Sequence, residues 1–155
     1  MATEIERKFT IKNNDWQSAV LKKEYYCQGY MVNTERASVR VRIAGERANL
    51  NIKSATLGIQ RQEYEYPIPL ADAKEMLSTL CTKPLIEKTR HFVLIDGKTW
   101  EIDVFHGDND GLIVAEIELE YADETFTLPS WVDQDVSNDV RYYNVKLVAH
   151  PFKDW

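Results

Sequence analysis

Hydrophobic and polar residues alternate along most of this chain, which is the pattern of β-strands whose two faces meet different surroundings. Eight segments combine this alternation with β-branched or aromatic residues, and turn-forming residues separate several of them. They are residues 3–11, 26–33, 36–43, 47–54, 60–68, 86–95, 98–105 and 112–121. Because short turns join most of them, these segments predict an antiparallel sheet that closes into a barrel.

Three further segments carry helix signals. Asn13 or Asn14 is the predicted cap of a short helix over residues 15–23. A second helix is predicted over residues 70–81, where apolar side chains recur at helical spacing. A last helical turn is predicted near Pro129, since proline suits the first position of a helix. The predicted fold class is therefore mainly β, of the α+β type, with a few helices packed outside a barrel.

Composition narrows the class of protein. The chain has 155 residues, 44% hydrophobic and 28% charged, which predicts a single globular domain over residues 1–155. Its net charge of −6 argues against broad nucleic-acid binding, which is typical of basic domains. No apolar run approaches the ~20 residues that span a bilayer, and the polar N-terminal residues are unlike a signal peptide. Cys27 and Cys81 are not spaced as a disulfide framework, so we expect a cytoplasmic protein. From the net charge and the lack of a long apolar run, we expect no nucleic-acid or membrane partners.

Charged residues on the predicted strands repeat the same sign at every second position. Glu116, Glu118 and Glu120 share one strand face, and Arg40 and Arg42 share another. Residues two apart on one face are separated by roughly 6.5–7 Å, so such rows repel unless opposite charges compensate them. A solvated sheet face explains any single strand, but it does not explain the repetition over many strands.

Two arrangements would compensate these charges. One is a ladder of acidic strands against basic strands on an open surface. The other is a closed barrel with a polar interior, where carboxylates hold divalent cations and basic side chains hold an anion. The second explains more, because hard cations prefer carboxylate oxygens and the arginine fork suits phosphate. The sequence therefore favours a polar tunnel in a closed eight-stranded antiparallel β-barrel.

The first predicted strand contains a recognisable charge pattern. The segment Glu4-Ile5-Glu6-Arg7-Lys8-Phe9 resembles the Glu-x-Glu-x-Lys signature of the CYTH superfamily, also called triphosphate tunnel metalloenzymes. Companion motifs follow in that family's order over nearly the whole chain, and the compact bacterial form is the most similar. They are Gln28-Gly29-Tyr30, Val39-Arg40-Val41-Arg42, Ile52-Lys53, Arg61-Gln62-Glu63-Tyr64-Glu65, Glu87-Lys88-Thr89-Arg90, Glu101-Ile102-Asp103-Val104-Phe105, Ala115-Glu116-Ile117-Glu118-Leu119 and Arg141-Tyr142-Tyr143-Asn144.

The resemblance implies a set of site residues and a cofactor. The cofactor would be a divalent metal, Mg²⁺ or Mn²⁺, held by the carboxylates of Glu4, Glu6, Glu116, Glu118 and Asp103. The phosphate-binding set would be Arg40, Arg42, Lys53, Lys88 and Arg90. Lys8 and Tyr30 are similar to the catalytic pair near the attacking water, and which of the two holds the proton stays open.

The function that the resemblance implies is metal-dependent hydrolysis of a small-molecule triphosphate by a monomer or homodimer. Inorganic tripolyphosphate, cut to pyrophosphate and phosphate, is the favoured substrate. Thiamine triphosphatase and class IV adenylyl cyclase are the alternative enzymes. A non-catalytic polyphosphate-binding module and a plain structural sheet domain are the alternatives of another class. The paired glutamates argue against the binding module, because anion binding alone gains nothing from Glu116 and Glu118.

Overall fold

The computed structural model describes residues 2–155, and antiparallel β-strands form its framework. The strands within these residues are β1 (Thr3–Ile11), β2 (Val20–Asn33), β3 (Ala37–Ala44), β4 (Arg47–Ser54), β5 (Gln60–Pro67), β6 (Ile86–Ile95), β7 (Lys98–Phe105), β8 (Ile113–Glu118) and β9 (Val132–Asp135). Two α-helices accompany them in the described chain, α1 (Leu70–Thr79) and α2 (Asn144–Ala149). Short 3₁₀ helices span Asp15–Ala19, Gly107–Asn109, Val140–Tyr142 and Phe152–Asp154.

Eight of the strands close into a barrel. Neighbouring strands are hydrogen-bonded in the order β5-β4-β3-β2-β6-β7-β8-β1, and β1 returns to pair with β5. In that closing pair Glu4 lies opposite Arg61. The C-terminal half of β1 also pairs with β9, which lies beside the barrel as an additional strand. The predicted closed eight-stranded antiparallel barrel is confirmed.

Three local predictions are wrong. The helix predicted over residues 15–23 is only a 3₁₀ helix over Asp15–Ala19, because residues 20–23 already pair with β6 as the start of β2. No helical turn begins at Pro129; the chain turns there and enters β9. The predicted strand over residues 112–121 ends at Glu118. In the first two cases, pairing with a distant strand overrides the local signal.

The outward faces of the barrel strands carry the hydrophobic core. Helix α1 covers β2, β3 and β4, where Ala73 and Leu77 pack against Val41 and Ala48. The 3₁₀ helix after β1 and the segment leading into β9 cover the other side. They enclose a buried cluster that includes Phe9, Trp16, Trp100, Ile117 and Trp131. Because apolar side chains are buried outside the barrel, its interior is left to the polar face of each strand.

Helix α2 covers one end of the barrel. Its Leu147 is fully buried and packs with Ile86, Phe105 and Val114. Ile86 shares its strand face with Lys88, so this apolar cluster lies at the end of the interior-facing rows. Helix α1 therefore lies outside the barrel as predicted, whereas α2 seals an end. No helix within residues 2–155 is long and apolar enough to cross a membrane.

Candidate active site

A polar cavity of about 230 Å³ lies inside the barrel. Every barrel strand contributes to its wall, and the segment 143–145 at the start of α2 contributes at the covered end. All of the predicted site residues except Asp103 line this cavity. The alternation of side chains on a strand explains the convergence, because residues of equal parity on eight closed strands face one interior.

Asp103 lies in the wall behind two of the predicted phosphate-binding residues. Its side chain is fully buried, and Arg90 donates to it twice, from Nε at 2.8 Å and from Nη2 at 2.9 Å. Lys88 donates a third hydrogen bond from Nζ at 2.7 Å. Burial by itself would raise the pKa of Asp103, but Arg90 and Lys88 outweigh it and hold the pKa below its usual range. Asp103 thus anchors two cations of the cavity wall.

Lys53, on β4, is paired with carboxylates of β1 and β5. Its Nζ lies 3.0 Å from Oε1 of Glu4 and 3.3 Å from Oε2 of Glu63. Arg61 lies 3.8 Å from the same Oε1 of Glu4. Burial raises the pKa of Glu4, and the nearby Lys53 and Arg61 reverse this effect and lower it. This side of the cavity is therefore close to charge balance.

Arg40 and Arg42 form a different environment on β3. Neither guanidinium has a carboxylate within ion-pair distance among residues 2–155. The buried Nε of Arg40 has no hydrogen-bond partner in the described chain, and Nε of Arg42 donates to the side-chain amide of Gln28. Burial, followed by repulsion from Arg40 and Arg90, lowers the pKa of Arg42 to about 10. Two uncompensated cations in one wall are suited to an anionic ligand.

The opposite wall, formed by β1 and β8, carries an excess of carboxylates. Glu6 lies directly across from Glu118, and Lys8 lies across from Glu116. Burial, followed by repulsion from Glu116, raises the pKa of Glu6 to about 8. Burial and the neighbouring Glu4 also raise the pKa of Glu118. These raised pKa values show that the acidic wall lacks positive charge.

Lys8 supplies part of that charge. Its Nζ lies 2.9 Å from Oε1 of Glu116 and 3.7 Å from Oε1 of Glu6. Burial alone would lower the pKa of Lys8, but the two carboxylates more than offset it and raise the pKa. Tyr30 lines the same cavity, and its side chain forms no hydrogen bond with Lys8. Lys8 therefore holds its proton in this arrangement.

The acidic wall fits a divalent cation in its donor chemistry. Carboxylate oxygens are the ligands that Mg²⁺ and Mn²⁺ prefer, and the wall is short of positive charge. Within residues 2–155, no three His, Cys, Asp or Glu side chains converge closely enough to form a ready-made metal site. The carboxylates of Glu116 and Glu6 converge instead on the ammonium group of Lys8. The position of an ammonium ion between carboxylates is one that a metal cation also favours.

The prediction of site residues missed several members of the cavity wall. Arg61, Glu101 and Tyr26 line the cavity, and the Tyr26 ring contacts the guanidinium groups of Arg42 and Arg90, 4.8 and 5.1 Å from its centroid. The alternation of side chains along a strand could have identified these three residues. Arg61 has the parity of Glu63, Glu101 that of Asp103, and Tyr26 that of Tyr30.

Comparison with known proteins places this cavity in a family. The family model described as CYTH domain matches residues 2–151. An inorganic triphosphatase of Acetivibrio thermocellus is 43% identical over 155 residues, covering 100% of this chain and 99% of the relative. An inorganic triphosphatase of Nitrosomonas europaea is 36% identical over 152 residues, covering 94% of this chain and 96% of the relative.

A solved structure extends the comparison to the fold. The crystal structure of the inorganic triphosphatase NE1496 superposes with a TM-score of 0.67 at 34% identity, covering 96% of this chain and 95% of that chain. The match of the family model over nearly the whole chain and the similarity of these full-length relatives agree with the barrel and its charged interior. This chain therefore belongs to the CYTH domain family.

Proposed function

We propose that this protein is a divalent-metal-dependent triphosphatase that hydrolyses inorganic tripolyphosphate to pyrophosphate and phosphate. The observation that carries the proposal is the separation of positive and negative charge between two walls of the cavity. Arg40 and Arg42, which have no carboxylate partner within residues 2–155, lie in one wall, and the crowded carboxylates of Glu6 and Glu118 lie in another. A polyphosphate with bound metal carries both charges that such a cavity attracts. The names of the two full-length relatives support the same substrate.

Five cations would hold the phosphate chain: Arg40, Arg42, Lys53, Lys88 and Arg90. They do not contribute equally, because Lys53 and Arg90 are already ion-paired with carboxylates of the wall. Arg40 and Arg42 keep their full charge for the ligand. A guanidinium offers two parallel N–H groups to a phosphate, so this pair is suited to grip two neighbouring phosphoryl groups.

The proposed metal is Mg²⁺ or Mn²⁺, and four carboxylates of the cavity would hold it: Glu4, Glu6, Glu116 and Glu118. When bound, such a metal neutralises phosphate charge and lowers the pKa of water. Glu116 suits this role, because its pKa lies well below the usual range. Burial opposes that shift, but Lys8 and Arg90 outweigh it. Asp103 would act through Lys88 and Arg90, since it lies behind them.

In the proposed reaction the oxygen of a water molecule bonds to the terminal phosphorus, and the bond from that phosphorus to the bridging oxygen breaks. Pyrophosphate leaves with the bridging oxygen, and the protons of water are shared between the products and solvent. Lys8 holds its proton at Nζ, so it would orient the attacking water and the terminal phosphate as a donor. Tyr30 would contact the same water from β2. Positioning and charge neutralisation are the main sources of rate in such transfers.

The proposed setting is the cytoplasm, where the enzyme would act as a monomer or homodimer. Both cysteines, Cys27 and Cys81, are free thiols, which is typical of a reducing compartment. The net charge of −6 favours a small substrate enclosed by the barrel, rather than a nucleic acid bound on the surface.

The test is phosphate release from tripolyphosphate, ATP, thiamine triphosphate and pyrophosphate, each with Mg²⁺, with Mn²⁺ and with EDTA. We expect metal-dependent turnover, fastest with tripolyphosphate. The double variant Glu116→Gln/Glu118→Gln should fold and lose this turnover, because it removes carboxylates of the acidic wall. The matched control is Glu75→Gln, an exposed position on α1 outside the barrel, which should keep wild-type rates.

Other outcomes would redirect the assignment. Faster turnover of thiamine triphosphate than of tripolyphosphate would point to a thiamine triphosphatase. Release of cyclic AMP and pyrophosphate from ATP would point to an adenylyl cyclase. Tight binding of tripolyphosphate without cleavage by folded protein would contradict the enzyme and favour a polyphosphate-binding module.

A further inference from the structure

Two neutral amides link the C-terminal helix to two cations of the cavity wall. Oδ1 of Asn144, at the start of α2, accepts hydrogen bonds from Nζ of Lys88 at 2.9 Å and from Nε2 of Gln28 at 3.0 Å. Oε1 of Gln28 in turn accepts from Nε of Arg42 at 2.9 Å. A continuous relay therefore runs from Lys88 through both amides to Arg42.

The relay is shielded from solvent. Gln28 is fully buried, and Asn144 is 8% exposed. A buried hydrogen bond has little competition from water, so each bond holds its partner in a defined orientation. The backbone beneath Gln28 is also constrained, since the next residue, Gly29, packs so closely on Cys81 that an added Cβ would lie 2.8 Å from the Cys81 Cβ.

The amides differ in one respect from the other partners of the wall cations. Arg90 is held by carboxylates of Asp103 and Glu101, which neutralise it while they orient it. Lys53 is likewise held by a carboxylate. Arg42 is oriented by Gln28 through an uncharged oxygen, so its positive charge is retained. Lys88 shares Asp103 with Arg90, and its second partner is the neutral Asn144.

We propose that Gln28 and Asn144 are positioning residues that fix Arg42 and Lys88 for phosphate binding without neutralising them. The inference rests on the proposed function, because it concerns the anion site of that function. It also assigns a role to α2 beyond covering the barrel end, since its first residue completes the relay. The neutrality of the two side chains is then the property that matters, in addition to their shape.

Asn144→Asp isolates that property. The new carboxylate has nearly the shape of the amide and can still accept both hydrogen bonds, from Lys88 and from Gln28. What changes is the charge, together with the loss of the amide N–H groups. We expect the Kd for inorganic tripolyphosphate, measured by calorimetry in EDTA, to rise about 10-fold or more, because a new anion repels phosphate and neutralises its ligand Lys88. The melting temperature should stay equal to that of the wild type or rise.

The matched control is Asn109→Asp. Asn109 is also buried, at 3% exposed, and its Oδ1 also accepts a hydrogen bond, from the backbone N–H of Phe152, but it does not line the cavity. This variant carries the general cost of a buried carboxylate and should keep the wild-type Kd. If Asn144→Asp does not fold, Gln28→Glu is the second test, because it places a carboxylate against Nε of Arg42 and also removes the N–H that donates to Oδ1 of Asn144. It should weaken binding by a similar factor.

Each outcome separates the positioning role from the proposed function. A folded Asn144→Asp or Gln28→Glu variant with the wild-type Kd would overturn the proposal, because the neutrality of the two side chains would then not matter. An equal loss of affinity in Asn109→Asp would overturn it as well. Wild-type protein that binds tripolyphosphate but releases no phosphate with metal would sink the proposed hydrolase, while the shift in Kd would still decide the positioning role.

Discussion

Arg90 and Asp103 form a two-point ion pair across β6 and β7, with Nε to Oδ1 at 2.8 Å and Nη2 to Oδ2 at 2.9 Å. The pair is buried, and Lys88 adds a second cation to the same carboxylate. Asp103 is therefore the charge that permits two cations to be buried side by side in the cavity wall. Arg40 and Arg42 have no such partner among residues 2–155, so they form the part of the wall that is open to an anion.

Replacing Asp103 should destabilise the barrel. Asp103→Asn keeps the size of the side chain, but among residues 2–155 it leaves Lys88 without an ion-pair partner and Arg90 with only Glu101 and Glu116. Breaking such a pair costs about 3–5 kcal/mol of unfolding free energy. Urea unfolding at neutral pH, monitored by tryptophan fluorescence, measures this loss.

Asp108 provides the control for that measurement. It pairs with Lys153 at 3.2 Å, but both side chains are about half exposed. Asp108→Asn should cost less than about 1 kcal/mol, because water screens an exposed pair. Equal losses of unfolding free energy in the two variants would show that the buried Asp103 pair stabilises the fold no more than an exposed pair does.

Arg40→Gln should separate binding from stability. The substitution removes a buried cation that has no carboxylate partner in the described part of the chain, and it relieves the repulsion that contributes to the low pKa of Arg42. We expect the free energy of unfolding to stay unchanged or to rise. We also expect the affinity for tripolyphosphate to fall about 10-fold or more, since a charge-assisted contact is lost.

Calorimetry and thermal melting of the same preparations test both statements. Arg36→Gln is the control, because Arg36 is exposed just before β3. It should change neither quantity. If Arg40→Gln lowers stability and leaves affinity unchanged, Arg40 is a structural residue and the anion site lies elsewhere.

The side-chain period of a strand explains why most of the cavity could be predicted from the sequence. A charge repeated at every second position on β1, β3 and β8 places like charges on one face, and eight closed strands turn those faces inward. The rule also explains why Tyr30 and Lys53 line the same cavity. Applying this rule requires only the order of the residues and not the distances between their side chains.

The omissions have physical reasons. Gln28 and Asn144 are neutral, so the charge pattern does not mark them, and their role depends on the reach of side chains across three elements. Strand β9 is only four residues long, and its pairing with Phe9 and Ile11 depends on the closed barrel. The start of β2 carries Lys22 opposite Phe92, a pairing that local periodicity does not contain.

Gly29→Ala should test how tightly β2 is held behind the relay. The added methyl group would lie 2.8 Å from Cδ2 of Leu85 and equally close to Cβ of Cys81. Overpacking of this kind costs about 1–3 kcal/mol of unfolding free energy.

Urea unfolding of Gly29→Ala, Leu85→Ala and the double variant forms a double-mutant cycle. Gly29→Ala should cost less in the Leu85→Ala background, because the flexible end of Leu85 is then absent; purely additive losses would contradict the steric cause.

The raised pKa of Glu6 predicts how the stability of the metal-free protein depends on pH. In the folded state burial and Glu116 raise the pKa of Glu6 to about 8, against 4.5 for an unperturbed glutamate. Between these values the folded state binds a proton that the unfolded state has lost. The unfolding free energy therefore falls as pH rises through this window, by up to about 1.4 kcal/mol per pH unit for this one group.

Glu6→Gln removes that proton and should flatten the pH dependence. The informative range is about pH 5 to pH 7, because above it Lys88, whose pKa burial lowers to about 7, contributes with the opposite sign. Urea unfolding in EDTA across this range should show a shallower decline for Glu6→Gln than for the wild type, while the exposed control Glu75→Gln follows the wild type. Parallel curves for Glu6→Gln and the wild type would mean that Glu6 is already ionised in the folded state, and that Lys8 alone compensates the acidic wall.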